Sequence, residues 1–156
     1  MEHYELEDAF GRRLRPSLNL ELELLPRQGG DPHDDLHFYL SNEGRGLARH
    51  SGFVCSLKNA RLDGVDGRSL AQVTAGGARL NAVQFYDAQS VIHSNGLYSA
   101  PGYAIITRDD RFQPLALDVT WYAEDMVVRR ASLQIEPGQK IKVLSRPRSP
   151  CELGLG

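Results

Sequence analysis

Between Leu18 and Leu24 every second residue is a leucine, and the positions between them carry Asn19, Glu21 and Glu23. In an extended chain successive side chains point to opposite faces, so this period of two collects the leucines on one face and the polar groups on the other. A helix would scatter the same leucines around its circumference. The segment is therefore predicted to be a strand with one buried and one wet face, as antiparallel sheets show. The pattern recurs. Leu36, Phe38 and Leu40 alternate with His37, Tyr39 and Ser41, and Leu115, Leu117, Val119 and Trp121 alternate with Ala116, Asp118, Thr120 and Tyr122.

Turn chemistry separates these runs. Pro26 to Asp35 reads as a loop, and Asn42 to Gly46 as a turn whose glycines supply positive φ cheaply. Asp63-Gly64, Asp66-Gly67, Gly76-Gly77, Asn95-Gly96 and Pro137-Gly138 read as further breaks. The expected strands are Ser17 to Leu25, Leu36 to Ser41, Ala48 to Leu57, Asn81 to Tyr86, Val91 to His93, Tyr103 to Thr107, Leu115 to Tyr122, Val127 to Ile135 and Gln139 to Leu144. Roughly seven to nine short strands without a long interior helix predict an all-β, antiparallel two-sheet sandwich, with a small barrel as the alternative. Trp121, amid Leu117 and Val119, is the expected core centre.

Before the first strand, Leu6, Phe10 and Leu14 recur every fourth residue, acidic residues come first, and Arg12, Arg13 and Arg15 come last. That order suits a helix dipole, and Pro16 ends the pattern. The expected organisation is an N-terminal helix or connector over 1–15, a β-sandwich domain over 16–145 and a flexible tail over 146–156.

With 18 basic and 20 acidic residues the formal net charge is −2, which offers no global attraction to nucleic acid or anionic membrane. The apolar runs are too short to cross a bilayer, and the acidic N-terminus is unlike a secretory signal. Cys55 falls on an inward strand position and Cys151 in a Pro-rich tail, so both are expected as reduced thiols in a cytoplasmic protein.

The stretch Ser41-Asn42-Glu43-Gly44-Arg45-Gly46-Leu47-Ala48 resembles the Asn-x-Gly-x-Gly-x-Ala turn between the second and third strands of bacterial immunoglobulin-like β-sandwich modules. Val119-Thr120-Trp121-Tyr122-Ala123-Glu124-Asp125 is similar to their penultimate hairpin, an aromatic strand followed by an acidic turn. The resemblance spans Leu18 to Leu144 and rests on turn and packing motifs, so it implies a fold more than an activity. It implies an immunoglobulin-like sandwich appended to other domains as a spacer or interaction surface, within a larger bacterial protein or assembly. It carries over no catalytic residue.

Candidate chemistry is sparse. His33, Asp34, Asp35 and His37 form the densest set of potential metal ligands, with Asp35 and His37 on one strand face and His33 back in the loop, against the plainer reading of a polar loop entering a wet strand face. Asp63 to Ser69 lacks the ligand spacing of a calcium loop. Glu21 and Glu23 share a strand face, as paired acid–base carboxylates would, but also as solvated strand surface does. Cys55 could meet His50 or His93, yet an inward strand cysteine is usually a small core residue. There is no nucleophile elbow and no phosphate loop. No cofactor is implied. Lys140 and Lys142, continued by Arg146 and Arg148, could follow a phosphate backbone, or simply solubilise the last strand.

The segment Ser94 to Tyr103 sets two tyrosines and a leucine among small residues, a mix suited to protein recognition. Leu97, Tyr98 and Tyr103 are the expected binding residues. The functional expectation is a non-catalytic interaction or accessory module with a protein partner. A nucleic-acid module at the basic strand and a metal-binding protein or enzyme at His33, Asp35 and His37 are the alternatives.

Overall fold

The computed structural model describes residues 14–94 and 98–143, with only the backbone of Tyr98. Ten strands run in order: β1 Leu18–Pro26, β2 Asp34–Asn42, β3 Ala48–Leu57, β4 Ala60–Asp66, β5 Leu70–Ala75, β6 Ala78–Ile92, β7 Tyr98–Arg108, β8 Leu115–Tyr122, β9 Arg129–Ile135 and β10 Lys140–Val143. They form two antiparallel sheets of five strands, ordered β10-β1-β2-β7-β4 and β5-β6-β3-β8-β9. The expected two-sheet architecture is thus present. The described residues contain no helix; the helix expected at the N-terminus falls almost wholly outside them, and Leu14 to Ser17 are extended chain without regular structure. The expected tail over 146–156 also lies outside the described residues.

The core follows from the alternation. Leu18, Leu20, Leu22 and Leu24 are all fully buried and face Phe53, Cys55, Leu117, Val119 and Trp121 from the other sheet. Burying each such leucine contributes about 1.5–3 kcal/mol. Phe38 of the first sheet meets Phe53 of the second at 4.7 Å between ring centroids, and Phe53 continues to Phe85 at 5.4 Å. This aromatic string joins the two layers near their middle.

The middle of the chain departs from expectation. Asp63-Gly64 is not a hairpin turn but part of β4, where the register against β7 slips between Leu62 and Gly64. The slip leaves Asp63 as an extra residue, and its carboxylate is held by Thr107 and Arg61. β5 was not expected, because only Val73 and Leu70 mark it as apolar. The two short strands expected around Asn81 and Val91 are one long strand, β6, interrupted by an outward bulge. There Asp87 accepts backbone N–H bonds from Gln89 and Ser90, at 2.9 and 3.0 Å. His50 faces the bulge from β3 with a φ of 50°.

The Asn42 turn shows why its residue types are needed. The buried Asn42 side chain accepts from Ser17 N and Gly44 N and donates to Gly46 O and Ile92 O, at 2.7 to 3.0 Å. One amide therefore ties the entry to β1, the turn itself and the end of β6. A Cβ at Gly44 would lie 2.3 Å from Ser17 N, and one at Gly46 would lie 2.7 Å from Leu14 O. Only glycine lets the chain before β1 pass that close.

Candidate interaction face

The outer face of the first sheet brings together residues that are far apart in sequence. Register pairs Glu23 with Lys140 on one side and with His37 on the other; His37 pairs with Tyr103, and Tyr103 with Asp66. One row therefore crosses all five strands: Lys140, Glu23, His37, Tyr103, Asp66. The neighbouring row holds Lys142, Glu21 and Tyr39.

The contacts along these rows are specific. The His37 ring lies 4.9 Å from that of Tyr103 and 6.4 Å from that of Tyr39, centroid to centroid. The Tyr103 hydroxyl donates to Asp66 Oδ2 at 3.0 Å, and the Tyr39 hydroxyl to Glu23 Oε1 at 3.2 Å. The bond to Asp66 and the negative charge of that carboxylate raise the Tyr103 phenol above its ordinary range. Tyr39 is also raised, by burial first and then by Glu23. Both phenols stay protonated and act as donors. Lys140 Nζ sits 4.6 Å over the Tyr39 ring, a cation–π distance, and 4.0 Å from Glu21 Oε2.

Behind Tyr103 an open cleft of about 370 Å³ runs between Asp66 to Ser69 and Ser99 to Tyr103, with buried Phe85 at its floor. A second, of about 480 Å³, adjoins it through Arg68, Ser69 and Asp87 and is bordered by the half-exposed Tyr86. Hydrogen bonds from Ser90 and Gln89 hold Asp87 below the usual carboxylate range, so it is an anion there.

Of the expected binding residues, Tyr103 is at the centre of this face, Leu97 lies outside the described residues, and Tyr98 pairs through its backbone with Ser41 on β2. The segment expected as a contact loop is strand from Tyr98 onward. Pro101 is tolerated inside it because the register to β2 shifts between Phe38 and Leu40, opposite that proline. Asp66, which the sequence marks only as part of an Asp-Gly turn, joins the face because β4 pairs with β7, and nothing in its local sequence signals that pairing.

The residues of the metal alternative each have other company. His33 Nδ1 is 2.6 Å from Asp31 Oδ1, and its Nε2 is 3.6 Å from Asp63 Oδ2. Asp35 accepts from Arg27 Nε at 3.0 Å, and His37 packs among the tyrosines. Among the described residues no three His, Cys, Asp or Glu side chains converge to hold a metal. Burial pushes Asp63 up, but the bonds from Thr107 and Arg61 outweigh it and leave a lowered carboxylate. Asp31 is lowered by the His33 backbone N–H and ring.

The basic strand is likewise engaged. Lys142 reaches Glu43, and Lys140 lies between Tyr39 and Glu21. Glu21 and Glu23 are thereby tied to neighbours on their own sheet rather than set against a nucleophile. Cys55 is fully buried, and burial together with Asp118 pushes its thiol up to about 12, which keeps it protonated at neutral pH. No helix among the described residues is long and apolar enough to cross a membrane. No protein-family model fits the chain, and no curated protein matches it.

Proposed function

We infer that the chain is an immunoglobulin-like sandwich acting as a non-catalytic interaction module of a larger bacterial protein or assembly, with the Tyr103 face as its contact surface. The observation that carries the reading is the row Glu23, His37, Tyr103, Asp66 with Tyr39 beside it. Its three rings are held by partners within the sheet, so a ligand meets a rigid, amphipathic surface at low entropic cost.

Strand order supports the fold half of the reading. An immunoglobulin sandwich sets strands A-B-E-D against C″-C′-C-F-G. The sheets β1-β2-β7-β4 and β5-β6-β3-β8-β9 have that spatial order, with β10 added beside β1. The departure lies in the chain path: β4, β5 and β6 occupy the D, C″ and C′ places in the reverse of the usual sequence. The two interior strands that carry the centre of the face, β2 and β7, hold the B and E places.

The test is affinity capture from source cells with the wild-type chain, a His37→Ala/Tyr103→Ala variant and a Leu97→Ala/Tyr98→Ala variant. A Thr120→Ala change on the opposite outer face is the control. Proteins held by wild type and control but lost from the His37/Tyr103 variant, at unchanged Tm, are the expected result. An identical captured set from all four chains would overturn the proposal.

A further inference from the structure

Each sheet ends in two edge strands, and three of the four edges are blunted. β4 and β5 carry register slips, and Asn81 covers β4 by accepting from Leu62 N at 3.1 Å. Among the described residues β10 has 4 residues. Such features discourage a foreign strand from pairing. β9 differs. It has 7 residues, pairs with β8 without a slip from Trp121↔Arg129 to Leu115↔Ile135, and contains neither proline nor glycine. Among the described residues no strand is hydrogen-bonded to its other side, although β10 of the facing sheet comes near it.

What guards this edge is charge. Arg129 and Arg130 open the strand, and no acidic residue follows before Glu136. Neither arginine has an ion-pair partner among the described residues. The Arg129 Nε, packed at the inward position beside Trp121, is buried without a hydrogen-bond acceptor. An arginine so placed repels basic strands and gains from a carboxylate brought alongside. Just before it, Val127 and Val128 are 64% and 49% exposed, an apolar flank for the same ligand.

We propose that the free edge of β9 is a strand-addition site for an extended acidic segment of another protein, its main chain pairing with β9 and its carboxylates meeting Arg129 and Arg130. Main-chain hydrogen bonds supply affinity in this mode, and side chains at alternate positions supply selectivity. A second copy of the chain fits less well. Antiparallel pairing of β9 with itself about Ser132 sets Arg130 against Gln134 and Arg129 against Ile135, leaving both guanidinium groups without a carboxylate. The proposal rests on the reading of the chain as an interaction module, but uses a surface distinct from the Tyr103 face.

The experiment uses the full chain and a fluorescent peptide of matching length, valine-rich with two adjacent glutamates, one for each face of the strand, opposite Arg129 and Arg130. Anisotropy and amide chemical-shift mapping are the readouts. Expected are saturable binding, shifts confined to Val128 through Ile135 and their β8 partners, about tenfold weaker binding by an Arg129→Gln/Arg130→Gln variant, and loss of binding when alternate peptide amides are N-methylated. Equal affinity for the glutamine counterpart, shifts elsewhere, or no binding at millimolar peptide would overturn it. So would self-association of the chain that the peptide displaces, since the edge would then belong to a second copy. None of these outcomes alters the capture result for the His37/Tyr103 variant, so the two proposals fail separately.

Discussion

The indole nitrogen of Trp121 donates a 2.8 Å hydrogen bond to the carbonyl oxygen of Leu18, bridging the two sheets between residues 103 apart in the chain. Both residues are buried, so the bond forms where water cannot compete. It fixes the start of β1 against the end of β8, and it satisfies the one polar atom that makes a tryptophan costly in a core.

Trp121→Phe removes that donor and leaves a void beside Leu18. The expected loss of stability is about 2–4 kcal/mol, read from the shift of a urea midpoint followed by circular dichroism. A midpoint within error of wild type would mean that the bond contributes nothing.

Asn42→Asp keeps the oxygen that accepts from Ser17 and Gly44 but replaces the donor aimed at Gly46 O and Ile92 O. A carboxylate there faces two carbonyl oxygens in a buried site, and about 3 kcal/mol or more should be lost. Asn42→Ala should be damaging too, whereas Glu43→Ala beside it should change the midpoint little.

Gly52 on β3 lies under the ring of Tyr122, so that a Cβ there would come within 2.4 Å of the ring. The ring supplies the cover that the glycine lacks. Gly52→Ala should displace it and cost about 1–3 kcal/mol. The same change made in a Tyr122→Ala background should cost much less. Additive effects in that double-mutant cycle would contradict the packing account.

Arg108 Nε donates to Asp34 Oδ2 at 2.8 Å with both side chains nearly buried, and its Nη1 also donates to Arg111 O and Gln113 O. Removing one partner strands the other charge, so Asp34→Asn or Arg108→Gln should each destabilise by about 3–5 kcal/mol. Arg108→Gln should in addition speed amide exchange at Asp109 to Gln113, because the loop loses its anchor.

Burial, and after it the charge of Asp118, pushes the Cys55 thiol up to about 12 from an ordinary value of 9.0. Between those values the unfolded chain binds fewer protons than the native one, so stability falls as pH rises through that window, by up to about 1.4 kcal/mol per unit. In a Cys151→Ser background a thiol reagent should react with Cys55 only after denaturant is added. Cys55→Ser should abolish the slope assigned to this group. Prompt labelling of the folded protein would contradict the burial.

Alternation decides which residues face inward as soon as a strand exists, which is why β1, β3, β8 and the Trp121 core were legible from sequence alone. The same rule put His37 and Tyr39 on an outer face. It is silent on neighbours, because a period of two says which side a residue takes and not which strand lies beside it. The pairing of β2 with β7 and of β7 with β4 sets His37, Tyr103 and Asp66 in one row. The register slips in β4 and β6, the first with the Asp63 carboxylate held by Thr107 and Arg61 and the second with Asp87 accepting backbone N–H groups of the bulge, also arise only once the partner strands are in place. The leucines and the buried thiol belong to local sequence. The turn at Asn42 does too, but its glycines serve close approach of the chain from Leu14 to Ser17 rather than a positive φ, and its amide is set by Ser17 and Ile92. The contact face and the open edge of β9 belong to the tertiary structure, since both depend on long-range pairing between segments that carry no mark of one another.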